Sequence, residues 1–181
     1  MGVSAKVGTT FTAILLASYL SGVFWKKTAL LECNPHGDFL RIQEHHRKES
    51  KEALCFTHRG IDYFPYASGR EILECENRGY QSIVVDFGCE YIQGRNEYLR
   101  CQKKLIVGST SDWELEGFFE FLRWTEMERG KDWLYAAFLG GRQNRERLER
   151  KMHLSVQKIP FLESPYWIDE TVLCFFHELL K

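Results

Sequence analysis

The sequence lacks a charge imbalance, a linker and a long apolar run. Lys and Arg total 24 against 25 Asp and Glu in 181 residues, a formal net charge of −1. That balance excludes a chain whose binding is dominated by electrostatic attraction to nucleic acid; it leaves room only for a local basic patch. There is no Pro/Gly/Ser-rich stretch and no internal repeat, so a single domain spanning 1–181 is expected. The six cysteines (33, 55, 75, 89, 101, 174) form no C-x-x-C pair and no Cys/His ligand spacing, which argues against a zinc module and a disulfide scaffold. Reduced thiols in a cytoplasmic protein are the simpler reading. No G-x-S-x-G elbow is present, and no pair of histidines has metal-ligand spacing on a shared element.

The most apolar stretch, FTAILLASYLSGVFW at 11–25, carries no charge but falls short of the roughly 20 residues a membrane span requires. Only Lys6 precedes it, a weak basic region for a secretory signal. A buried core helix is favoured over a cleaved signal or an anchor, and no integral membrane segment is expected.

What is present is a globular balance: 44% apolar and 27% charged residues. Aliphatic runs predict strands at 28–32, 61–66, 82–87, 104–108, 133–139 and 155–160. Helical spacing predicts helices at 9–22, 69–76, 112–128, 142–152 and 168–180. Residues 82–86 and 104–107 are nearly continuous apolar runs, as in strands buried on both faces. Strands alternating with helices imply an open, mainly parallel sheet with helices on both faces. The one charge run, Arg41 to Glu52, reads as a solvated helix or loop.

Ligands of such a sheet bind at the carboxyl ends of its strands, so the strand-to-helix turns matter most. The first, Gly2-Val3-Ser4-Ala5-Lys6-Val7-Gly8-Thr9-Thr10, runs into the apolar helix at Phe11. Small residues ahead of a helix let backbone N–H groups converge on an anion. A phosphate loop follows its last glycine with Lys and then Ser/Thr. Here Gly8 and Thr10 fit, and Thr9 stands where the lysine would. Alone, the turn reads equally as an ordinary helix cap.

Three further segments narrow the choice. K-K-T-A-L-L-E-C-N-P-H-G-D-F at 26–39 resembles the segment ending in D-x-D-P-Q-G of the ParA/MinD family of deviant P-loop ATPases, and it follows the apolar helix as it does there. Y-Q-S-I-V-V-D-F-G at 80–88 resembles that family's Walker B strand. K-L-I-V-G-S-T-S-D-W-E-L at 104–115 and V-Q-K-I-P-F at 156–161 are similar to its later strands. The resemblance spans nearly the whole chain through individually loose motifs, and it implies a P-loop NTPase-like fold with ATP and Mg as the ligands to consider.

By that resemblance the nucleotide-binding positions are Lys6, Val7, Gly8, Thr9, Thr10 and Phe11. Thr10 and Asp86 are the magnesium positions, and Glu32, Asn34, Pro35 and Gly37 form the switch. The departures are equally specific. Aligned on Gly8 and Thr10, the family's K-G-G-x-G-K-[ST] places its signature lysine at Ser4 and its Walker lysine at Thr9. Lys6 replaces a glycine. Asn34 stands at the catalytic acidic position, where an amide cannot accept a proton. The base-reading Asn is absent from WLYAAFLGGR at 133–142.

The family's central first strand has no counterpart before Gly2, which leaves two explanations: a chain that starts upstream, or a sheet without that strand. The first is favoured, because a missing central strand strands backbone groups without partners.

The expected function is therefore a regulatory or scaffolding partner-binding module with weakened nucleotide binding and hydrolysis lost. Its protein partners are not named by the sequence, and a face-to-face homodimer is one form it could take. An active ATPase switch is the alternative. A small kinase needs an arginine-rich lid, and R-Q-N-R-E-R-L-E-R at 142–150 alternates with acids as a solvated helix does. His36 and Cys89 lie beside the motifs; a solvent-facing histidine and an inert thiol are the simpler readings.

Overall fold

The computed structural model describes residues 1–46 and 55–181. The T-A-L-L-E run forms β1 (Thr28–Glu32), in which every residue is buried. It pairs in parallel with β3 (Ile61–Phe64) on one side and β4 (Ser82–Asp86) on the other. A short antiparallel strand, β2 (Phe56–His58), closes the edge against β3. A second parallel group comprises β5 (Lys104–Thr110), β6 (Trp133–Gly140) and β7 (Gln157–Lys158).

Residues Met1–Val3 join the two groups. Gly2 N–H donates to Gly88 O at 2.6 Å, while Val3 N–H reaches Val107 O and Val107 N–H reaches Met1 O, each at 2.9 Å. The Met1 amine donates to Leu105 O at 3.0 Å. Gly2 and Val107 form an isolated parallel bridge, so Met1–Val3 tie β5 to the turn that follows β4.

Strand side chains alternate between the two faces. From β1 and its neighbours, Leu30, Ile61, Tyr63 and Val84 pack with Ile14 and Ala17 of α1 (Thr9–Phe24) and Phe39 of α2 (Asp38–His46). Ala29, Leu31 and Phe64 face Cys75 of α3 (Gly69–Asn77) on the other side. Farther along, Val107 and Ala136 meet α1 and Phe176 of α7 (Glu170–Leu179). Ile106 and Tyr135 meet Tyr91 and Tyr98 of α4 (Tyr91–Arg100), Phe118 and Leu122 of α5 (Leu115–Trp124), and Leu148 of α6 (Arg142–Met152). Helices α1, α2 and α7 therefore cover one face, and α3 to α6 the other. The fold is the open α/β sheet expected, with β2 the antiparallel exception.

The apolar stretch at 11–25 is the core of α1, and no helix among the described residues is long and apolar enough to cross a membrane. Five elements differ from the sequence expectation. Helix α2 buries only Phe39 and Gln43, and α4 only Tyr91 and Tyr98, so neither carries a full apolar stripe. Strand β2 has three residues at a sheet edge. The helix expected at 112–128 is α5 followed by a 3₁₀ turn at Glu126–Glu128. The strand expected at 155–160 shrinks to two residues. Of the Arg41–Glu52 charge run, residues to His46 belong to α2, and 47–52 lie outside the described residues.

Candidate functional site

The site forms where the carboxyl ends of β1 and β4 meet the start of α1. Residues 4–6 arch out as an exposed loop before Val7 turns its side chain into the core. Two residues adopt left-handed backbone: Lys6 at φ 63° and Gly8 at φ 88°. At Gly8 glycine is required, since a β-carbon there would also lie 2.9 Å from the Phe138 ring. Lys6 adopts its conformation without that freedom, at a cost of about 1–2 kcal/mol. The chain thus turns through left-handed backbone twice just before α1.

Helix α1 begins at Thr9 with no side-chain cap. Its first N–H groups have no intrahelical acceptor and face the loop at the positive end of the helix dipole. They open into a cleft of about 460 Å³ bounded by the 4–11 loop, by His36, Asp38 and Arg41, and by Gly88 and Cys89.

Thr10 lies at its floor. Its hydroxyl donates to Asp86 Oδ2 at 2.7 Å and is 3.5 Å from Asp38 Oδ2. The other oxygen of Asp86 accepts from Gly88 N–H at 2.9 Å, and the whole residue is buried. Glu32, in register beside Asp86 across the parallel pair, accepts from Asp38 N–H at 2.6 Å through Oε1. Its Oε2 is buried without a hydrogen-bond partner. Burial pushes the Glu32 carboxyl above its ordinary pKa, the Asp38 N–H pulls it down, and the charges of Asp38 and Asp86 raise it further.

Asn34 is an internal brace. Its Nδ2 donates to Asp86 O at 3.1 Å, and its Oδ1 accepts from His36 N–H at 3.0 Å. Both ends of the amide are engaged in holding the β1–α2 turn against β4. Gly37, at φ 71°, lies so close to the Tyr66 hydroxyl that a β-carbon would collide with it. Pro35 and His36 are exposed.

The positions picked out in the sequence do converge, in different capacities. Gly8, Thr9, Thr10 and Lys6 border the cleft directly. Val7 buries its side chain in the core, and Phe11, which also borders the cleft, packs edge-to-face on Phe138 at 5.3 Å. Thr9 sets its hydroxyl against Gly2, where any β-carbon would strike it. Two cleft residues were not singled out: Asp38, closing the N-P-H-G-D motif, and Arg41, which pairs with Asp38 Oδ1 at 2.7 Å from one turn along α2. The i,i+3 spacing of an acid and a base is the signal that could have found them.

The donor set suits a small hard cation that keeps most of its waters, through one hydroxyl and adjacent carboxylates. Among the described residues no three His, Cys, Asp or Glu side chains are grouped to hold a metal ion. The free N–H groups above it suit a phosphate. Cys89 borders the cleft, but burial raises its thiol pKa, with the Glu90 charge adding to the effect, which keeps it protonated and poorly nucleophilic.

No protein-family model matches the sequence, and no curated protein matches it. Solved structures do resemble the fold. A ParA family ATPase from Chlorobium tepidum TLS aligns with a TM-score of 0.66 at 16% identity, over 90% of this chain and 82% of that one. MinD in the MinC:MinD cell division complex of Aquifex aeolicus aligns at 0.64 and 14% identity, over 89% and 79%. A plasmid partition protein of Borrelia burgdorferi B31, bound to AMPPNP, aligns at 0.63 and 13% identity, over 99% and 94%. The chain therefore has a ParA/MinD-like fold.

Proposed function

We propose that this ParA/MinD-like chain is a regulatory or scaffolding partner-binding module of the cytoplasm, whose phosphate cleft binds ATP weakly and no longer turns it over. One observation carries the reading: the loop keeps its left-handed turns and its Thr10–Asp86 contact, while Thr9 stands where a phosphate-binding lysine is needed. The bound nucleotide in the Borrelia neighbour supports ATP as the ligand class.

The residues present fit magnesium and a triphosphate at coarse level. The N–H groups of Gly8 to Phe11 would take the phosphates, and Thr10 with Asp86 would hold the magnesium, whose chemistry when bound is to offset phosphate charge. What the chain lacks is its own charge at Thr9. A charge-assisted contact contributes about 1.5–3 kcal/mol, so affinity falls by roughly one to two decades. Turnover falls further, because charge accumulates in the transition state. Asn34 compounds the loss, since a braced amide neither accepts a proton nor turns toward a water.

The partner role is supported by the rim. Tyr66, Ile92, Trp113, Leu139 and Phe161 stand exposed at the carboxyl ends of β3 to β7. Large apolar side chains exposed on that side of the sheet suit a protein contact, a second copy of the chain included. The MinD neighbour was solved with a protein partner, MinC.

A working ATPase switch is the second reading, favoured by Lys6 and Arg41 bordering the cleft as replacement cations. Titration with ATP, with and without magnesium, beside a phosphate-release assay separates the two. Weak binding without release is expected; micromolar binding with sustained release would establish the ATPase.

A further inference from the structure

At the amino ends of the strands, away from the phosphate cleft, the sheet opens beside β6. Strand β7 pairs with β6 only at Ala136 and Ala137. Among the described residues no strand therefore lies against Trp133, Leu134 and Tyr135 on that side. The cause lies at the end of α6, where the chain turns left-handed at His153 (φ 52°). Glu149 accepts from His153 N–H through its carbonyl and from Val156 N–H through Oε1 at 2.8 Å. Residues 153–156 are thereby tied to α6 rather than to the strand edge. The gap is a cavity of about 420 Å³ with apolar walls from Leu134, Met152, Leu154 and Leu179 and aromatic ones from Trp133 and Tyr135.

Arg129, just after the 3₁₀ turn, also lines this cavity. Its side chain is only 14% exposed, and Nε is buried without a hydrogen-bond partner. Its one ion pair among the described residues, Nη2 to Glu126 Oε1, is 3.6 Å long and made to a side chain that is 66% exposed. That separation is too long for a hydrogen bond, and solvent weakens the attraction. A guanidinium cannot shed its proton as a buried lysine can, so burial leaves a full charge poorly compensated. Burial pushes the Tyr135 phenol above its ordinary pKa and the Arg129 charge pulls it down, which puts the guanidinium beside the aromatic wall.

The remaining charged groups narrow the ligand. Glu178 lines the cavity as an exposed carboxylate, and Glu126 already draws on Arg129. A doubly charged anion meets repulsion there, whereas a single carboxylate meets one matching cation. The planar fork of Arg suits a carboxylate, and the volume lies in the range of small-molecule sites.

We infer that this cavity is a second ligand site, for a small organic acid with one carboxylate on a flat apolar body. Arg129 binds the carboxylate, and the Trp133–Tyr135 edge with the facing leucines takes the body. The site does not depend on the nucleotide reading, since it shares no residue with the phosphate cleft.

The test titrates 2-naphthoate into the full chain by calorimetry, beside its neutral isostere 2-naphthamide and inorganic phosphate. The proteins are the native chain, Arg129→Met and Glu178→Gln. Naphthoate should saturate the native chain, lose about tenfold or more in affinity in Arg129→Met, and gain severalfold in Glu178→Gln. Naphthamide should bind more weakly than naphthoate and respond to neither substitution. Unfolding cannot produce opposite shifts in two variants. Magnesium-ATP should leave the naphthoate affinity unchanged; competition would put naphthoate in the phosphate cleft and overturn the inference. No saturable naphthoate binding, equal affinity in Arg129→Met, or naphthamide binding as tightly as naphthoate overturns it too. Phosphate binding more tightly than naphthoate would do the same, because the apolar walls would then contribute nothing.

Discussion

Thr10 and Asp86, 76 positions apart in the chain, share a 2.7 Å hydrogen bond at the point where the first long helix meets the buried β4 strand. The bond locks the loop to the sheet and satisfies a buried carboxylate. Thr10→Val keeps the shape and removes the donor, leaving Asp86 Oδ2 without its closest partner. Stability should fall by about 1–3 kcal/mol, read as a lower midpoint in urea with an unchanged slope.

Gly8 tests the loop from the backbone side. At φ 88°, and with the Phe138 ring 2.9 Å from any β-carbon, Gly8→Ala meets both strain and overlap. A loss of roughly 1–3 kcal/mol is expected from the strained conformation, with the collision adding to it. Lys6→Gly, which relieves a left-handed residue, should instead stabilise by about 1 kcal/mol or slightly more in the same urea series.

Asn34 gives a counterintuitive outcome. Replacing it with the acid found in the resembling family should not restore hydrolysis. Asn34→Asp removes the donor to Asp86 O and sets a carboxylate against a carbonyl in a buried position. Destabilisation of about 1–3 kcal/mol, with no phosphate release, is the expected result. Release restored at native stability would show that the brace is dispensable.

The acid limb of stability is set partly at the other end of the sheet. Lys104, nearly buried at the start of β5, pairs with Asp132 and holds its carboxyl below the usual range. A depressed acid contributes stability above its unfolded pKa of about 3.9, and that contribution is lost as pH falls through the folded value. The native chain should therefore lose more stability than Lys104→Met between pH 5 and pH 2, on the order of the range these carboxylates titrate in. Urea midpoints across that window check the difference.

The parallel sheet was legible because β1 and β5 are almost wholly buried and, with β4, are written as aliphatic runs. Helices α2 and α4 were not, since each buries two side chains and displays otherwise polar sequence. Within the site, Gly8, Thr10 and Asp86 were readable as a spaced motif. Asp38 and Arg41 were not singled out, because their role depends on a turn that folds them over Thr10. The structural work of Asn34 was equally hidden: an amide at an acid's position reads as a loss until its two hydrogen bonds are seen. Residues Met1–Val3 make four hydrogen bonds, to Gly88, Val107 and Leu105, which no motif in the sequence announced.

The most direct measurement is the magnesium-ATP affinity of the native chain beside that of Thr9→Lys. An intact phosphate loop that lacks only its charge should gain at least tenfold, about 1.4 kcal/mol, from the substitution. Equal affinities in the two proteins would contradict the account, because the loop would then be architecture with no phosphate site left to restore.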